Sequence, residues 1–470
     1  MWKLKSRTLL PIVQGGMGVG ISAHRLAGNV ARLGVLGMIP SVDLRHHHAD
    51  LLERANDCTD KGELDKLNLI ALDREIRMAL AVETRTGGGS VRCARRVARW
   101  GFLVFSLLSL SSVAQGAETG SHGHGRDAGP PPAVEAEKGP VTLPAVANPH
   151  EIGKSALGHY PERVYVPNTI TNTVHVIDPK TFQIIATYPT GKEPHHVTPS
   201  WDLTRLYVNN TKGNSLTVID PSTAMVVGEI PVLDPYNLYF TPDGKYAIVV
   251  AERYKRLDFR DPKTWTLVKS VPIPQPGVDH MAFSRDGSYL VASTEYSGWL
   301  VKVDLAKLEV VATMQVGGLP IDVVRVPGSH LMYVANQKKN GVHVIDPELW
   351  KQIAFIPTGK GTHGILLSHD RKSLYVSNRL GGSISTIDVA SRKVVREWKI
   401  GGSPDMGQLS PDGKQFWITG RYHGEVAVID TTTGEVIRSI RTNPGPHGLT
   451  YFPTSKAAHA VGHNGIYVED

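Results

Sequence analysis

Apolar and polar residues alternate with a period of two over short runs from about residue 160 to the C-terminus. Val176-Ile177-Asp178-Pro179 closes one such run, and an apolar alternation that ends in Asp before a turn returns about every 42 residues. The recurring aspartates are Asp178, Asp220, Asp261, Asp304, Asp346, Asp388 and Asp430. The alternation is typical of strands, and the constant period indicates a repeat architecture.

Each repeat can be divided into four short strands. In the second repeat the predicted strands are His196–Pro199, Arg205–Asn209, Ser215–Ile219 and Met225–Pro231. Asp-Gly pairs, as in Pro242-Asp243-Gly244, suit the tight turn between the first and second strands because they tolerate positive φ. Four strands in each of seven repeats predict an all-β fold, a seven-bladed β-propeller with four-stranded blades.

The two ends of the repeat region predict how the ring closes. The first repeat begins at Arg163 without an innermost strand, and His447–Pro453 is an innermost strand with no blade after it. Pairing these two completes the seventh sheet. The tail, Ala457–Asp470, is expected to pack over this junction.

A Tyr-Val-x-Asn motif recurs in the second strands, at Tyr165–Asn168, Tyr207–Asn210, Tyr333–Asn336 and Tyr375–Asn378. It resembles the repeat of the YVTN-type seven-bladed propellers, which are WD40-like and related in fold to the haem-binding domain of periplasmic nitrite reductases. The resemblance covers residues 155–470. It implies an exported protein and leaves the ligand open.

Charge and cysteine content narrow the classes of partner. The formal charge is +7, but the residues from 115 onward hold 35 basic and 34 acidic side chains. A nearly neutral repeat region is not expected to bind nucleic acid. Both cysteines, Cys58 and Cys93, precede residue 115, so the repeat region suits an oxidising compartment.

The first ninety residues have a different pattern. Residues 8–36 are predicted to form a strand, a Gly-rich loop and a helix. They resemble the N-terminus of the nitronate monooxygenases, and Lys61–Met78 continues this resemblance, which ends near residue 82. In that family Gln14, Gly15, Gly16 and Met17 would lie beside FMN. An eight-stranded barrel needs far more chain, so residues 1–90 are interpreted as a fusion or a misassigned start and FMN is not expected.

Residues 91–117 combine the features of an export signal. Arg92, Arg95, Arg96 and Arg99 precede the apolar run Trp100–Leu108, and Ser112-Val113-Ala114 offers a small-residue cleavage site. The apolar run is short for a membrane span. We therefore expect a periplasmic or secreted protein without a membrane span after cleavage, a flexible leader at 118–154 and a propeller at 155–470. A membrane anchor that leaves residues 1–90 in the cytoplasm, or a buried helix, are the alternatives.

Aligning the innermost strands predicts a ring of side chains at the channel mouth. Its members are His196, Asn237, His280, Asp322, His363, Met406 and His447, with His195, Asp279 and Asp405 one residue earlier as supporting partners. Imidazole and thioether groups suit copper or iron, alone or in a haem, so His196, His280, His363 and His447 are candidate metal ligands. The alternative is that these histidines only hydrogen-bond neighbouring loops.

A second resemblance concentrates the candidate site on the sixth, seventh and first blades. Gly402–Gly407 and Gly420–His423 resemble segments of a subgroup of exported propellers. The candidate ligand-binding residues are Asp405, Met406, Arg421, Asn237 and Asp322. No Ser-His-Asp order or CxxC motif identifies catalytic residues. The sequence thus favours a monomeric binding or scaffold module for a protein or small ligand, with a metal or haem redox protein as the alternative and a flavin oxygenase third.

Overall fold

The computed structural model describes residues 160–453 and short stretches at 2–4, 7–9, 459–460, 462 and 466–467. The chain divides into two units, Met1–Ser121 and His122–Asp470. In the first unit the described elements are β1 (Trp2–Leu4) and β2 (Arg7–Leu9), an antiparallel pair. The predicted signal segment and leader, and nearly all of the predicted monooxygenase-like fragment, lie outside the described residues.

Residues 160–453 form seven four-stranded antiparallel sheets, each a blade of a propeller. Blade 1 contains β3 (Arg163–Asn168), β4 (Thr173–Asp178) and β5 (Gln183–Pro189). Blade 2 contains β6 (Pro194–Pro199), β7 (Leu206–Asn210), β8 (Ser215–Asp220) and β9 (Met225–Pro231). Blade 3 contains β10 (Pro235–Phe240), β11 (Ala247–Ala251), β12 (Arg256–Arg260) and β13 (Leu267–Pro272). The strands of blades 4 and 5 are β14 (Val278–Phe283), β15 (Tyr289–Thr294), β16 (Trp299–Asp304), β17 (Glu309–Gln315); and β18 (Pro320–Arg325), β19 (Met332–Asn336), β20 (Gly341–Asp346), β21 (Lys351–Pro357). Those of blades 6 and 7 are β22 (Thr362–Leu367), β23 (Ser373–Asn378), β24 (Ser383–Asp388), β25 (Lys393–Lys399); and β26 (Pro404–Leu409), β27 (Gln415–Gly420), β28 (Glu425–Asp430), β29 (Val436–Arg441). The predicted all-β seven-bladed propeller is confirmed.

The ring closes in blade 1 as predicted. β30 (Thr450–Phe452), from the end of the repeat region, pairs antiparallel with β3, so that Tyr165 lies opposite Thr450. Pro446 adds an isolated bridge to Asn168. The closing strand is shorter than predicted because residues 447–449 leave the ladder between these two contacts.

The recurring aspartates close turns, and each does so through its side chain. Asp178 Oδ1 accepts a hydrogen bond from the Lys180 amide at 2.8 Å, and Asp430 Oδ1 accepts one from the Thr432 amide at 2.8 Å. Four of the others make equivalent bonds, and Asp388 accepts the amide of Ser391, three residues ahead, at 2.7 Å. An Asp that satisfies the amide two residues ahead stabilises the turn without help from the rest of the fold.

The hydrophobic core lies between the blades. Each of seven clusters of buried apolar side chains joins two neighbouring blades, and together they complete the ring. Across the closing interface, Phe182 of blade 1 stacks on Trp417 of blade 7 with ring centroids 5.7 Å apart. Closure thus buries the same kind of surface as every other blade interface.

The C-terminal tail reaches a different blade from the one expected. β31 (His459–Ala460) and β32 (Ile466–Tyr467) pair with each other, and Gly462 forms a bridge to Tyr239. Tyr239 belongs to the innermost strand of blade 3, so the expectation that the tail packs over the junction of blades 7 and 1 is wrong at this contact. Among the residues with a described placement, no helix is long and apolar enough to cross a membrane.

Candidate functional site

A β-bulge begins the innermost strand of blades 2 to 7. In blade 2, Pro194 pairs with Asn210 and Val197 with Val208, which leaves His195 and His196 opposite a single residue. The other five blades show the same shift. A bulge re-aims the side chains of its strand, so two successive residues of each blade enter the channel mouth.

These residues form two layers. The rim layer contains the residue that directly follows the paired start of each strand: His195, Tyr236, Asp279, Ile321, His363, Asp405 and, after the Asn168–Pro446 bridge, His447. The deep layer contains the next residue of each strand: His196, Asn237, His280, Asp322, Gly364, Met406 and Gly448. Members of both layers are buried.

The strand registers divide the residues of the predicted single ring between these two layers. His196 and His280 lie in the deep layer, whereas His363 and His447 lie one position earlier, in the rim layer. Pro194 and Pro446 are the equivalent paired residues, so His447 corresponds to His195 and not to His196. Asp405 accordingly enters the site directly instead of supporting a neighbour.

The histidines nevertheless remain neighbours. The His196 ring centroid lies 5.2 Å from that of His280 and 4.7 Å from that of His447, and His363 lies 6.3 Å from His447. Among the described residues, no three His, Cys, Asp or Glu side chains are placed to hold one metal ion. The function proposed for this protein therefore assigns no metal-binding role to these histidines.

The deep layer is held by hydrogen bonds to the strands. Asp322 accepts the Val323 amide on Oδ1 at 2.9 Å and the Ile365 amide on Oδ2 at 2.8 Å, which ties blade 5 to blade 6. Asn237 accepts the Leu238 amide at 2.8 Å. Gly448 completes the packing, because a Cβ at this position would lie 1.9 Å from His196 Nδ1. Asn237 and Asp322, both candidate ligand residues, thus have structural partners.

His280 lies at the centre of the deep layer as a neutral ring. The hydroxyl of Tyr239 lies 3.1 Å from its Nδ1 atom. Burial lowers the pKa of His280 to about 3, because the imidazolium form has lost its hydration. Met406, the remaining deep-layer candidate, packs beside Gly364 of blade 6 and is 1% exposed.

The rim layer is different on blades 6, 7 and 1, where charged side chains meet around Asp405. Arg379 donates from Nε to Asp405 Oδ1 at 2.8 Å, and its Nη2 atom contacts both Asp405 and His363. His363 Nδ1 lies 3.1 Å from Asp405 Oδ1. Burial opposes the charge of Arg379, but the carboxylate of Asp405 outweighs burial and raises the pKa of Arg379.

The other oxygen of Asp405 has a looser environment. Arg421 Nη1 and His447 Nε2 each lie 3.8 Å from Asp405 Oδ2, which is too long for a hydrogen bond. Arg421 Nη1, Asp405 Oδ2 and His447 Nδ1 are buried and have no hydrogen-bond partner among the described residues. We call Asp405, Arg379, Arg421, His363 and His447 the Asp405 corner.

Arg379 was missed in the sequence, although a signal for it exists. Arg379 and Arg421 follow the second strands of blades 6 and 7, and the equivalent residues of all blades form a third ring, the loop ring. Its members, in blade order, are Thr169, Thr211, Glu252, Glu295, Gln337, Arg379 and Arg421. Alignment on the Tyr-Val-x-Asn motif would have placed two arginines on adjacent blades and two glutamates on another adjacent pair.

The glutamate half of the loop ring lies beside Asp279. Burial, and then the charges of Glu295 and Glu252, raise the pKa of Asp279 well above its ordinary value. Burial likewise raises the pKa of Glu252. These two carboxyl groups favour the protonated, neutral form. The mouth therefore has two arginines on blades 6 and 7, and on blades 3 and 4 two acids whose pKa values are raised.

Comparisons with known proteins agree with the fold. The solved structure described as dihydro-heme d1 dehydrogenase NirN in complex with DHE matches with a TM-score of 0.51 at 18% identity, over 67% of this chain and 78% of that one. The periplasmic gluconolactonase PpgL of Pseudomonas aeruginosa matches with a TM-score of 0.52 at 18% identity, over 62% and 98%. A functionally unknown protein from Desulfotomaculum acetoxidans matches with a TM-score of 0.53 at 15% identity, over 62% and 98%. At such identities the likeness shows the propeller fold alone.

No curated protein matches the chain. The model of one family matches residues 141–456, which include all seven blades and the closing strand. This match covers about two thirds of the chain. The chain belongs to the YNCE-like beta-propeller family.

Proposed function

We propose that this protein is an exported binding protein that holds a small polar ligand at the mouth of its propeller channel, in the Asp405 corner. The supporting observation is Arg421, whose side chain is 9% exposed and whose Nη1 atom has no hydrogen-bond partner among the described residues. A buried polar atom without a partner costs about 1–3 kcal/mol, more when it is charged. Native proteins keep such atoms mainly where a ligand or water completes them.

Two of the unsatisfied atoms, Arg421 Nη1 and Asp405 Oδ2, lie 3.8 Å apart, which favours one shared ligand over separate local defects. Arg421 Nη1 and His447 Nε2 lie at equal distances, 3.8 Å, from Asp405 Oδ2. Arg421 supplies donors, Asp405 supplies an acceptor, and a neutral imidazole supplies one of each. The corner therefore offers the few convergent polar groups that orient a small ligand.

Ligand binding can be tested on the full-length chain with a library of small molecules of varied charge, using the shift of the thermal unfolding midpoint. Wild type is compared with Arg421→Gln, His447→Gln and the control Arg438→Gln, an exposed arginine on the outermost strand of the same blade. We expect a compound that stabilises wild type and the control but neither corner variant. Binding that survives both corner substitutions would contradict the proposed site.

Export is the second part of the proposal, and it rests on residues 91–117 of the sequence. Sequencing the N-terminus of the protein isolated from its native host tests it. A mature protein beginning near residue 115 is expected. A mature protein that still begins at Met1 would refute export through this segment.

A further inference from the structure

The charges around the mouth are separated, and the separation identifies the sign of the ligand. In the Asp405 corner two guanidinium groups, Arg379 and Arg421, face one carboxylate. Guanidinium groups stay charged in proteins, so the corner has one uncompensated positive charge. Across the ring, the raised pKa values of Asp279 and Glu252 disfavour their charged forms, whereas Glu295 acts as a negative charge on Arg379.

Arg379 and Arg421 differ in how closely their guanidinium groups are bonded. Arg379 is bonded to Asp405, to His363 and to Gln337, the last at 3.2 Å through Nη1. Among the described residues, Arg421 Nη1 approaches Asp405 at 3.8 Å without a hydrogen bond. The uncompensated positive charge is therefore concentrated on Arg421, and its guanidinium presents the fork of donors that matches a carboxylate.

Exposed apolar side chains occur on the three blades that carry the corner. The residue after each loop-ring residue is exposed and apolar on three consecutive blades: Leu380 on blade 6, Tyr422 on blade 7 and Ile170 on blade 1, with exposures of 56%, 58% and 61%. On blades 2, 3 and 5 the equivalent residues are Lys212, Arg253 and Lys338, and on blade 4 it is Tyr296, which is partly buried. The Tyr422 ring also lies 5.8 Å from the Arg379 guanidinium carbon. Exposed apolar residues are thus grouped on the blades of the two arginines and on blade 1.

From these observations, and resting on the proposed binding function, we infer that the ligand is a small organic carboxylate with an apolar body. Its carboxylate meets Arg421 and His447, and its body lies against Tyr422, Leu380 and Ile170. An inorganic anion would leave this apolar surface uncovered, and a neutral or cationic ligand would leave the charge of Arg421 unbalanced. One excess positive charge and an apolar rim together match a carboxylate with an apolar body.

The inference is tested by isothermal titration of the full-length chain with matched probes: benzoate and phenylacetate as carboxylates, benzamide as the neutral counterpart, benzylamine as the cation and inorganic phosphate as the bare anion. The carboxylates are expected to bind about 10- to 100-fold more tightly than benzamide, the range for a hydrogen bond to a charged partner. Arg421→Gln should remove most of that difference, Tyr422→Ala should weaken all aromatic probes, and Arg438→Gln should change nothing.

The outcomes separate the two proposals. Equal or tighter binding of benzamide or benzylamine, lost in Arg421→Gln, would overturn the carboxylate inference and keep the proposed site. Phosphate binding as tightly as the carboxylates would overturn the role of the apolar rim and indicate an adventitious ion only. If no probe and no member of the library bound at the corner, both proposals would fail.

Discussion

The deep layer and the rim layer of the channel lie one residue apart on the same strands, yet they have different chemistry. In the deep layer, Asp322 uses both carboxylate oxygens on backbone amides and holds two blades together. In the rim layer, Asp405 bonds Arg379 through one oxygen, and its other oxygen has no hydrogen bond within the described part of the chain. The difference teaches that a buried carboxylate has a structural role when the backbone completes it and suggests a binding role when it stays incomplete.

The largest effect is expected from Asp405→Asn. This change removes the carboxylate that Arg379 bonds, so that Arg379 joins Arg421 as a buried guanidinium group without a compensating acid in the corner. The free energy of unfolding should fall by about 3–5 kcal/mol in chemical denaturation. The control Glu309→Gln, at an exposed glutamate, should change it by less than about 0.5 kcal/mol. Equal losses in the free energy of unfolding for the two variants would contradict a central role for Asp405 in the site.

Asp322→Asn tests the structural role of the deep layer. An amide has one acceptor oxygen, so one of the amides of Val323 and Ile365 would face an NH₂ group. We expect a loss of about 1–3 kcal/mol in the free energy of unfolding. Asp304→Asn is the matched control, because Asp304 uses a single oxygen for its turn. A change in ligand affinity on Asp322→Asn, at unchanged stability, would contradict the assignment.

His280 gives the deep layer a pH dependence. The pKa of His280 is about 3 in the folded protein, below the unfolded value of about 6.5, so the unfolded state binds the proton first as the pH falls. Stability is therefore lost between about pH 6.5 and 3, by at most about 1.4 kcal/mol per pH unit from this group. His280→Gln should flatten this slope in unfolding measurements across that range. Equal slopes in wild type and His280→Gln would contradict a buried neutral His280.

The smallest loss of stability is expected from Arg421→Gln. This substitution removes a buried cation that lacks a close partner among the described residues and relieves its repulsion with Arg379. The free energy of unfolding should not fall in the absence of ligand, because a buried donor without a partner costs about 1–3 kcal/mol, while ligand affinity falls. A large loss of stability without ligand would show that Arg421 has a structural role, as Asp322 does, and would end the contrast between the layers.

The blade count and the turns could be predicted because their causes are local. Asp178 and Asp430 each bond to an amide two residues ahead, so the same short pattern produces the same turn in every repeat. The strands of blade 2 were predicted within about two residues of their observed ends. Ring closure through β30 could be predicted as well, because an unpaired strand at each end of the repeat region leaves one sheet incomplete.

The membership of the site could be predicted only in part. Asp405 and Arg421, both candidate ligand residues, come together, whereas Asn237 and Asp322 bond to the strands. His363 and His447 were aligned with His196, although each directly follows the paired start of its segment, as His195 does. Arg379 was missed because its role depends on a residue of the next blade.

The sequence by itself determined a seven-bladed all-β propeller, since strand alternation, turn chemistry and repeat length depend on neighbouring residues. Only the tertiary structure decided which polar groups share a layer and which remain incomplete. Arg379 and Asp405 are 26 residues apart, and Arg421 approaches Asp405 from a third segment, so their meeting depends on the bulges and on the packing of successive blades. Local pattern therefore specifies the blades, and long-range packing creates the charged corner between them.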